Sequence, residues 1–336
     1  MTVNVGVIGV GKIGQEHVRR LTETLPGAKV VAVSDADAVR AKEVAARVPG
    51  ARAYPVGEEL IAAKEVEAVI VASWGQTHAA YVLAAIKAGK PVFCEKPMAT
   101  TEVDCSAIID AEAAFGRRLV QVGFMRRFDA QYRAMKAAIA SGVIGFPLMF
   151  HSVHRNASSP AHFKATMAIT DTAVHDIDIA RFLLDDEPIA ISVKAPRRNR
   201  NAGGVSDPLL TLIEMRSGAL VAIETSVNIA YAYDIRGEVI GETGVVTLAE
   251  RNTVVVKANG AFSGRVPADW RERFVDAFDA EFRAWIAAAK AGGAAGPSAW
   301  DGYVATVTSG MGVKAIASGG REMITLRDRP PLYSAA

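Results

Sequence analysis

Cysteine is scarce: Cys94 and Cys105 are the only two in 336 residues. Two thiols exclude a disulfide framework and a cysteine-rich zinc site, and they fit a reducing, cytoplasmic setting. Long hydrophobic runs are missing as well. Although hydrophobic residues make up 50 % of the chain, much of this is alanine, and no stretch of about 18 apolar residues is present to span a bilayer. Nor is there an excess of one charge. The formal balance is +2 with no basic stripe, which argues against nucleic acid or an anionic membrane as a partner. The first apolar run begins at residue 3, leaving no room for a charged leader and signal core. No internal repeat is present. The chain exceeds the size at which single cores stop growing, so two domains are expected, with enough buried surface to need no staples.

What is there begins at the N-terminus. Val3 to Ile8 is a short apolar run leading into Gly9-Val10-Gly11-Lys12-Ile13-Gly14 and then a helical pattern. Strand, glycine turn and helix in that order form a dinucleotide fingerprint. Gly9 permits the tight turn, Gly11 lets a pyrophosphate approach the helix N-terminus, and Gly14 lets helix pack on strand. A second apolar run, Lys29 to Val33, ends in Ser34-Asp35. That places Asp35 about 20 residues past Gly14, where a carboxylate receives the adenosine ribose hydroxyls. A 2′-phosphate about 4 Å from Asp35 would meet repulsion of up to about 4 kcal/mol at an effective dielectric of about 20. Lys12 in the turn would return only about 0–1 kcal/mol as an exposed ion pair. NAD is therefore favoured, and Lys12 keeps NADP open.

Strand and helix patterns alternate through the first third. Ala68 to Ala72, Pro91 to Cys94 and Leu119 to Val122 continue the series, predicting a doubly wound parallel sheet of the Rossmann type over residues 1–123. Ligands of such sheets lie beyond the carboxyl ends of the strands. Candidate cofactor contacts are therefore the turn residues Gly9, Gly11, Lys12, Ile13 and Gly14 together with Asp35. Further along the chain Ser73, Trp74, His78, Glu95 and Lys96 join them. From about residue 146 longer alternating runs take over, among them Pro147 to Asn156, Leu209 to Met215, Ala219 to Val227, Asp234 to Ile240 and Thr253 to Ala258. They predict an α+β domain over 124–336 with a large, mostly antiparallel open sheet. Helices near Trp270 to Lys290 and Ala299 to Ser318 close the chain, and the C-terminal helix is expected to return to the first domain.

The chemistry-bearing residues cluster on these elements. Lys96, in Glu95-Lys96-Pro97 at a strand exit, lies where a nicotinamide belongs, and a cation there favours a developing alkoxide. Pro97 fixes the turn, and an unusual or cis Lys96-Pro97 bond is one hypothesis for its geometry. Asp171 and His175, four apart on a predicted helix, form a carboxylate–imidazole dyad facing away from the core, although the same pattern also describes a polar helix start. Asp178, one turn on, reads as an exposed helical carboxylate, with a supplement to the dyad as the alternative. His154 and Asn156 share one face of a strand with Arg155 on the other, and Tyr231 and Tyr233 are expected to share a face likewise. His151 and His154 point to opposite faces with no thiolate nearby, so no metal site is expected.

The fingerprint, Glu95-Lys96-Pro97, Gly123-Phe124-Met125-Arg126-Arg127-Phe128-Asp129, His154-Arg155-Asn156 and Asp171-Thr172-Ala173-Val174-His175 together resemble the glucose-fructose oxidoreductase/inositol dehydrogenase/rhizopine catabolism family. The resemblance covers nearly the whole chain, and the Met-Arg-Arg and His-Arg-Asn segments point within it to inositol. It implies NAD-dependent oxidation of myo-inositol to 2-keto-myo-inositol by a cytoplasmic homotetramer associating through the second-domain sheets. Carried over by position, Lys96, Asp171 and His175 are catalytic, and Arg126, His154, Asn156 and Tyr233 contact substrate. Lys12 and Phe128 depart from the residues common at their positions. Another cyclic polyol or an aldose such as glucose, a non-catalytic dinucleotide sensor, and a metal-assisted enzyme stay open as alternatives.

Overall fold

In the computed structural model, which describes residues 2–197, 199–202, 205–249 and 254–334, the first apolar run becomes β1 (Val3–Ile8), buried along almost its whole length. Five strands join it in parallel: β2 (Ala28–Ser34), β3 (Arg52–Tyr54), β4 (Ala68–Val71), β5 (Val92–Glu95) and β6 (Val120–Gly123). Their order is β3-β2-β1-β4-β5-β6. Helices α1 (Lys12–Arg19), α2 (Ala38–Arg47), α3 (Gly57–Ala62), α4 (Gly75–Lys87) and α5 (Glu102–Phe115) make the crossovers. Their starts are written locally: the Asp37 side chain accepts from Val39 N and Arg40 N to cap α2, and Thr101 accepts from Asp104 N to cap α5. The strand order reverses beside β1, and a reversal of this kind opens a ligand crevice at the strand exits.

The second sheet has seven strands. After α6 (Ala130–Ala140), β7 (Pro147–Arg155) and α7 (Val174–Leu184) come β8 (Pro188–Lys194), β9 (Leu209–Met215), β10 (Leu220–Ser226), β11 (Asp234–Gly241) and β12 (Val245–Thr247). A hairpin of β13 (Val255–Ala258) and β14 (Ala261–Gly264) precedes α8 (Trp270–Lys290), α9 (Ala299–Ser318) and β15 (Arg321–Met323). The order is β12-β11-β7-β10-β9-β8-β15, antiparallel throughout except that β10 runs parallel to β7. Thr253, the expected start of the last strand, lies outside the described residues. Phe150, Ser152 and His154 alternate inward along β7, while Leu210 (49 %), Leu212 (39 %) and Met323 (54 %) remain exposed on the outer face.

The described residues fall into two compact units: those within 2–125 with 278–307 and 326–334, and those within 126–277 with 308–325. Residues 278–307, from within α8 into α9, belong to the first unit. The reason is packing: Phe282 and Trp285 of α8 are buried in the first core with Val5, Val7, Val30, Ile70 and Phe93. Truncating an aromatic of that kind to alanine costs about 3–5 kcal/mol.

Candidate active site

The glycine turn between β1 and α1 is shaped by backbone contacts. Gly9 has φ +86, and a Cβ on it would lie 2.3 Å from Ser73 N; a Cβ on Gly14 would lie 1.9 Å from Gly9 O. At Gly11 a Cβ meets nothing within 4 Å. Gly11 is the N-cap of α1 and offers no side-chain cap, so backbone donors and open space coincide at this helix start. A pyrophosphate fits that arrangement. Asp35, at the exit of β2, accepts from Val10 N at 2.8 Å and from Asp37 N at 2.9 Å, tying itself to the turn. Lys12 is exposed, and Ile13 packs against the core of the first unit.

Two residues expected at the cofactor are turned into the protein. His78 is buried, its Nδ1 2.7 Å from Pro97 O and its Nε2 3.0 Å from Ser73 O, so it links two strand exits. Glu95 places Oε1 2.7 Å from His17 Nε2 and accepts from Lys96 N at 3.2 Å on Oε2. Burial lowers the affinity of His17 for a proton, and the Glu95 bond only partly offsets this. Burial alone would raise the Glu95 carboxyl, but His17 and Lys96 outweigh it and hold Glu95 below its ordinary value. Ser73 shares a 2.7 Å bond with Thr77, and Trp74, the N-cap of α4, is 74 % exposed. Lys96 is half-buried, and the Lys96-Pro97 peptide is cis.

In the second unit the predicted dyad does not lie on one regular helix. Asp171 belongs to a π turn, Ala168–Ala173, and His175 to the first turn of α7; both are half-buried. Instead of presenting one solvated face, α7 is buried nearly all round. Asp178, expected in solvent, is fully buried and takes a bidentate grip from Arg127, 2.9 Å from Nε and 2.6 Å from Nη2. Burial is tolerable because the charge is paired.

The centre of this unit is a residue that sequence reasoning missed. Asp176 accepts from Arg126 Nη1 and Ser152 Oγ, each at 2.6 Å, and its Oδ2 lies 2.8 Å from His154 Nδ1. Burial pushes the Asp176 carboxyl up, but Arg126 and His154 more than reverse this and hold it well below the usual carboxylate range. Arg126 is itself buried, its guanidinium over the Phe274 ring. Tyr233 sets its ring edge-on to His154, with centroids 5.7 Å apart. Tyr231 is 53 % exposed and outside the site: residues 231–233 precede β11, so the two tyrosines share no strand face. Asn156 follows β7 directly, its N–H donating to Ser226 O at 2.8 Å. His151 is exposed on the other face of β7. The alternation of Arg126-Arg127 against Asp176 and Asp178 was the available clue to these pairs.

Residues 3–124 match the profile of an oxidoreductase family with an NAD-binding Rossmann fold, and residues 132–247 match the GFO/IDH/MocA C-terminal domain. The chain is 52 % identical over 334 residues to inositol 2-dehydrogenase 3 of Saccharopolyspora erythraea, covering 99 % of this chain and 98 % of that protein. It is 49 % identical to inositol 2-dehydrogenase of Azotobacter vinelandii, over 100 % of both. The crystal structure of myo-inositol dehydrogenase from Lactobacillus casei in complex with NAD(H) and myo-inositol superposes with a TM-score of 0.97 at 36 % identity, covering 99 % of this chain and 100 % of that one. With both domains matched in order and full-length relatives at this identity, the chain belongs to the GFO/IDH/MocA family of oxidoreductases.

Proposed function

We propose that this chain oxidises myo-inositol to 2-keto-myo-inositol with NAD as acceptor. The carrying observation is the full-length likeness to an enzyme crystallised with NAD(H) and myo-inositol. Bound NAD supplies the hydride acceptor, C4 of its nicotinamide. The turn Gly9–Gly14 receives the pyrophosphate and Asp35 the ribose hydroxyls, which favours NAD over NADP. His175, neutral, removes the proton from the hydroxyl being oxidised; help of this kind is worth about 10²–10⁴ in rate. Asp171 orients that imidazole and stabilises its protonated form, and Lys96 favours the alkoxide. Arg126, His154, Asn156 and Tyr233 hold the remaining hydroxyls.

The chain works in the cytoplasm as a homotetramer. Two free, buried cysteines support the first statement, and Leu210, Leu212 and Met323 on the outer face of the second sheet support the second. Among the described residues no helix is long and apolar enough to cross a membrane. The test follows the near-ultraviolet absorbance of reduced nicotinamide with myo-inositol, scyllo-inositol, glucose and no substrate, each with NAD and NADP. Turnover highest with myo-inositol and NAD is expected. Equal or greater turnover with glucose overturns the substrate, and no turnover with any of them favours a sensor.

A further inference from the structure

Asp176 takes no part in the chemistry above, yet three donor groups converge on it, and one of them is ambiguous. His154 Nδ1 lies 2.8 Å from Asp176 Oδ2 and 2.9 Å from Arg126 Nη2. A guanidinium nitrogen only donates and an ionised carboxylate only accepts, so a single ring nitrogen cannot satisfy both. With a proton on Nδ1, the contact to Asp176 is a charge-assisted hydrogen bond. Without it, the Nδ1 lone pair is set against an anionic oxygen in a buried place, where such a mismatch is costly. Arg126 does not depend on Nδ1, since its Nη1 already donates to Asp176 at 2.6 Å and its guanidinium lies over the Phe274 ring. Ser152, two residues before His154 on the same face of β7, donates to Asp176 as well, so strand and helix are locked around this carboxylate.

We propose that Asp176 is a positioning residue that fixes His154 as its Nδ1–H tautomer, so that Nε2 meets a substrate hydroxyl only as an acceptor. The inference rests on His154 contacting the polyol, as read above. It assigns a polarity to that contact. A ring position bearing O–H is accepted, whereas one bearing a methyl ether, a fluorine or a carbonyl oxygen sets acceptor against acceptor. Selection of this kind discriminates more strongly than a change of size in an apolar pocket.

Ring-nitrogen NMR of protein labelled in histidine tests this without turnover, the His154 resonances being assigned by their loss in His154→Gln. In the NAD complex at neutral pH, Nδ1 is expected to be protonated and Nε2 bare. The reverse tautomer, or an imidazolium, overturns the proposal. Asp176→Asn gives the second arm. Its amide oxygen keeps Arg126 and Ser152, its NH₂ then faces Nδ1, and the tautomer inverts. KM for myo-inositol should rise roughly two- to tenfold, the loss of one hydrogen bond between uncharged groups, with a smaller change in kcat. An unchanged tautomer or an unchanged KM refutes the role; should this variant fail to fold, the spectrum of the parent protein decides alone. If the parent shows the expected tautomer but does not oxidise myo-inositol, the substrate reading fails and the assignment of Asp176 stands.

Discussion

Replacing Gly11 and Gly14 in turn by alanine separates binding from folding within one six-residue turn. At Gly14 the new methyl lies 1.9 Å from Gly9 O, a backbone atom that cannot swing aside. Alanine in a helix gains about 1 kcal/mol over glycine, but forced overpacking costs about 1–3 kcal/mol and more when backbone must move. The clash wins, and a net loss of about 2 kcal/mol corresponds to a drop of about 4–8 °C in Tm. At Gly11 the methyl meets nothing within 4 Å, so the cost is limited to the poorer N-cap, about 0.5–1 kcal/mol, or less than about 4 °C. It does occupy the space over the N-terminus of α1. Displacing a pyrophosphate from one charge-assisted donor there loses about 1.5–3 kcal/mol, which is roughly ten- to a hundredfold in Kd.

Thermal unfolding by circular dichroism and NAD titration by calorimetry, both without substrate, read the two effects independently. Gly11→Ala should hold its Tm within about 4 °C of the parent and lose affinity, and Gly14→Ala should lose more Tm. If Gly11→Ala binds NAD within twofold of the parent, the dinucleotide does not lie on this turn and the argument from open space is wrong.

The other expectations concern proton transfer, cofactor choice and pH. His175→Ala should retain NAD affinity and lose roughly 10²–10⁴ in kcat; turnover near that of the parent removes the general base. Lys96→Ala should slow the single-turnover rate of hydride transfer, and an unaltered rate excludes the lysine. Asp35→Ser should raise the ratio of kcat/KM for NADP over NAD roughly tenfold or more by removing a repelling charge; an unaltered ratio places the discriminating residue elsewhere. Burial holds His17 below its ordinary value of 6.5, so the unfolded chain binds the extra proton. Stability is therefore intact above about pH 6.5 and falls on acidification below it, by at most about 1.4 kcal/mol per pH unit for this group. His78 is lowered by burial too and adds in the same direction. Tm measured from pH 5 to 8 should fall less steeply for His17→Gln than for the parent, and parallel curves refute the assignment.

The first sheet was legible because its strands are buried on both faces and therefore read as continuous apolar runs, as Val3–Ile8 and Ala68–Val71 do. Strand β3 escaped notice because Arg52–Tyr54 is a three-residue edge, largely exposed, with no run to betray it. In the second unit alternation marked the strands, but nothing local announces that β10 pairs in parallel with β7, since pairing partners far apart in sequence leave no periodic trace. The site divided in the same way. Glycines at fixed offsets and a carboxylate at the next strand exit are local patterns. The inward turn of Glu95 toward His17 and the burial of Asp178 depend on distant partners, and a helical wheel treats every charge as solvated.

The two arginine–aspartate pairs of the second unit show why that assumption failed. Arg126 and Arg127 are adjacent in the chain, and Asp176 and Asp178 are two apart, and the charges are matched one to one, with Arg126, Asp176 and Asp178 buried and Arg127 half-buried. Burying such pairs is weak ground for stability, because desolvation consumes most of the Coulombic gain. Arg127 grips Asp178 with two nitrogens and lies over the Phe182 ring. The Asp176 pair differs in having Ser152 and His154 on the same carboxylate. An apolar substitute there would keep the packing and release the imidazole, and what sets the second pair apart is therefore the orientation of a ring nitrogen, which a hydrophobic contact cannot supply.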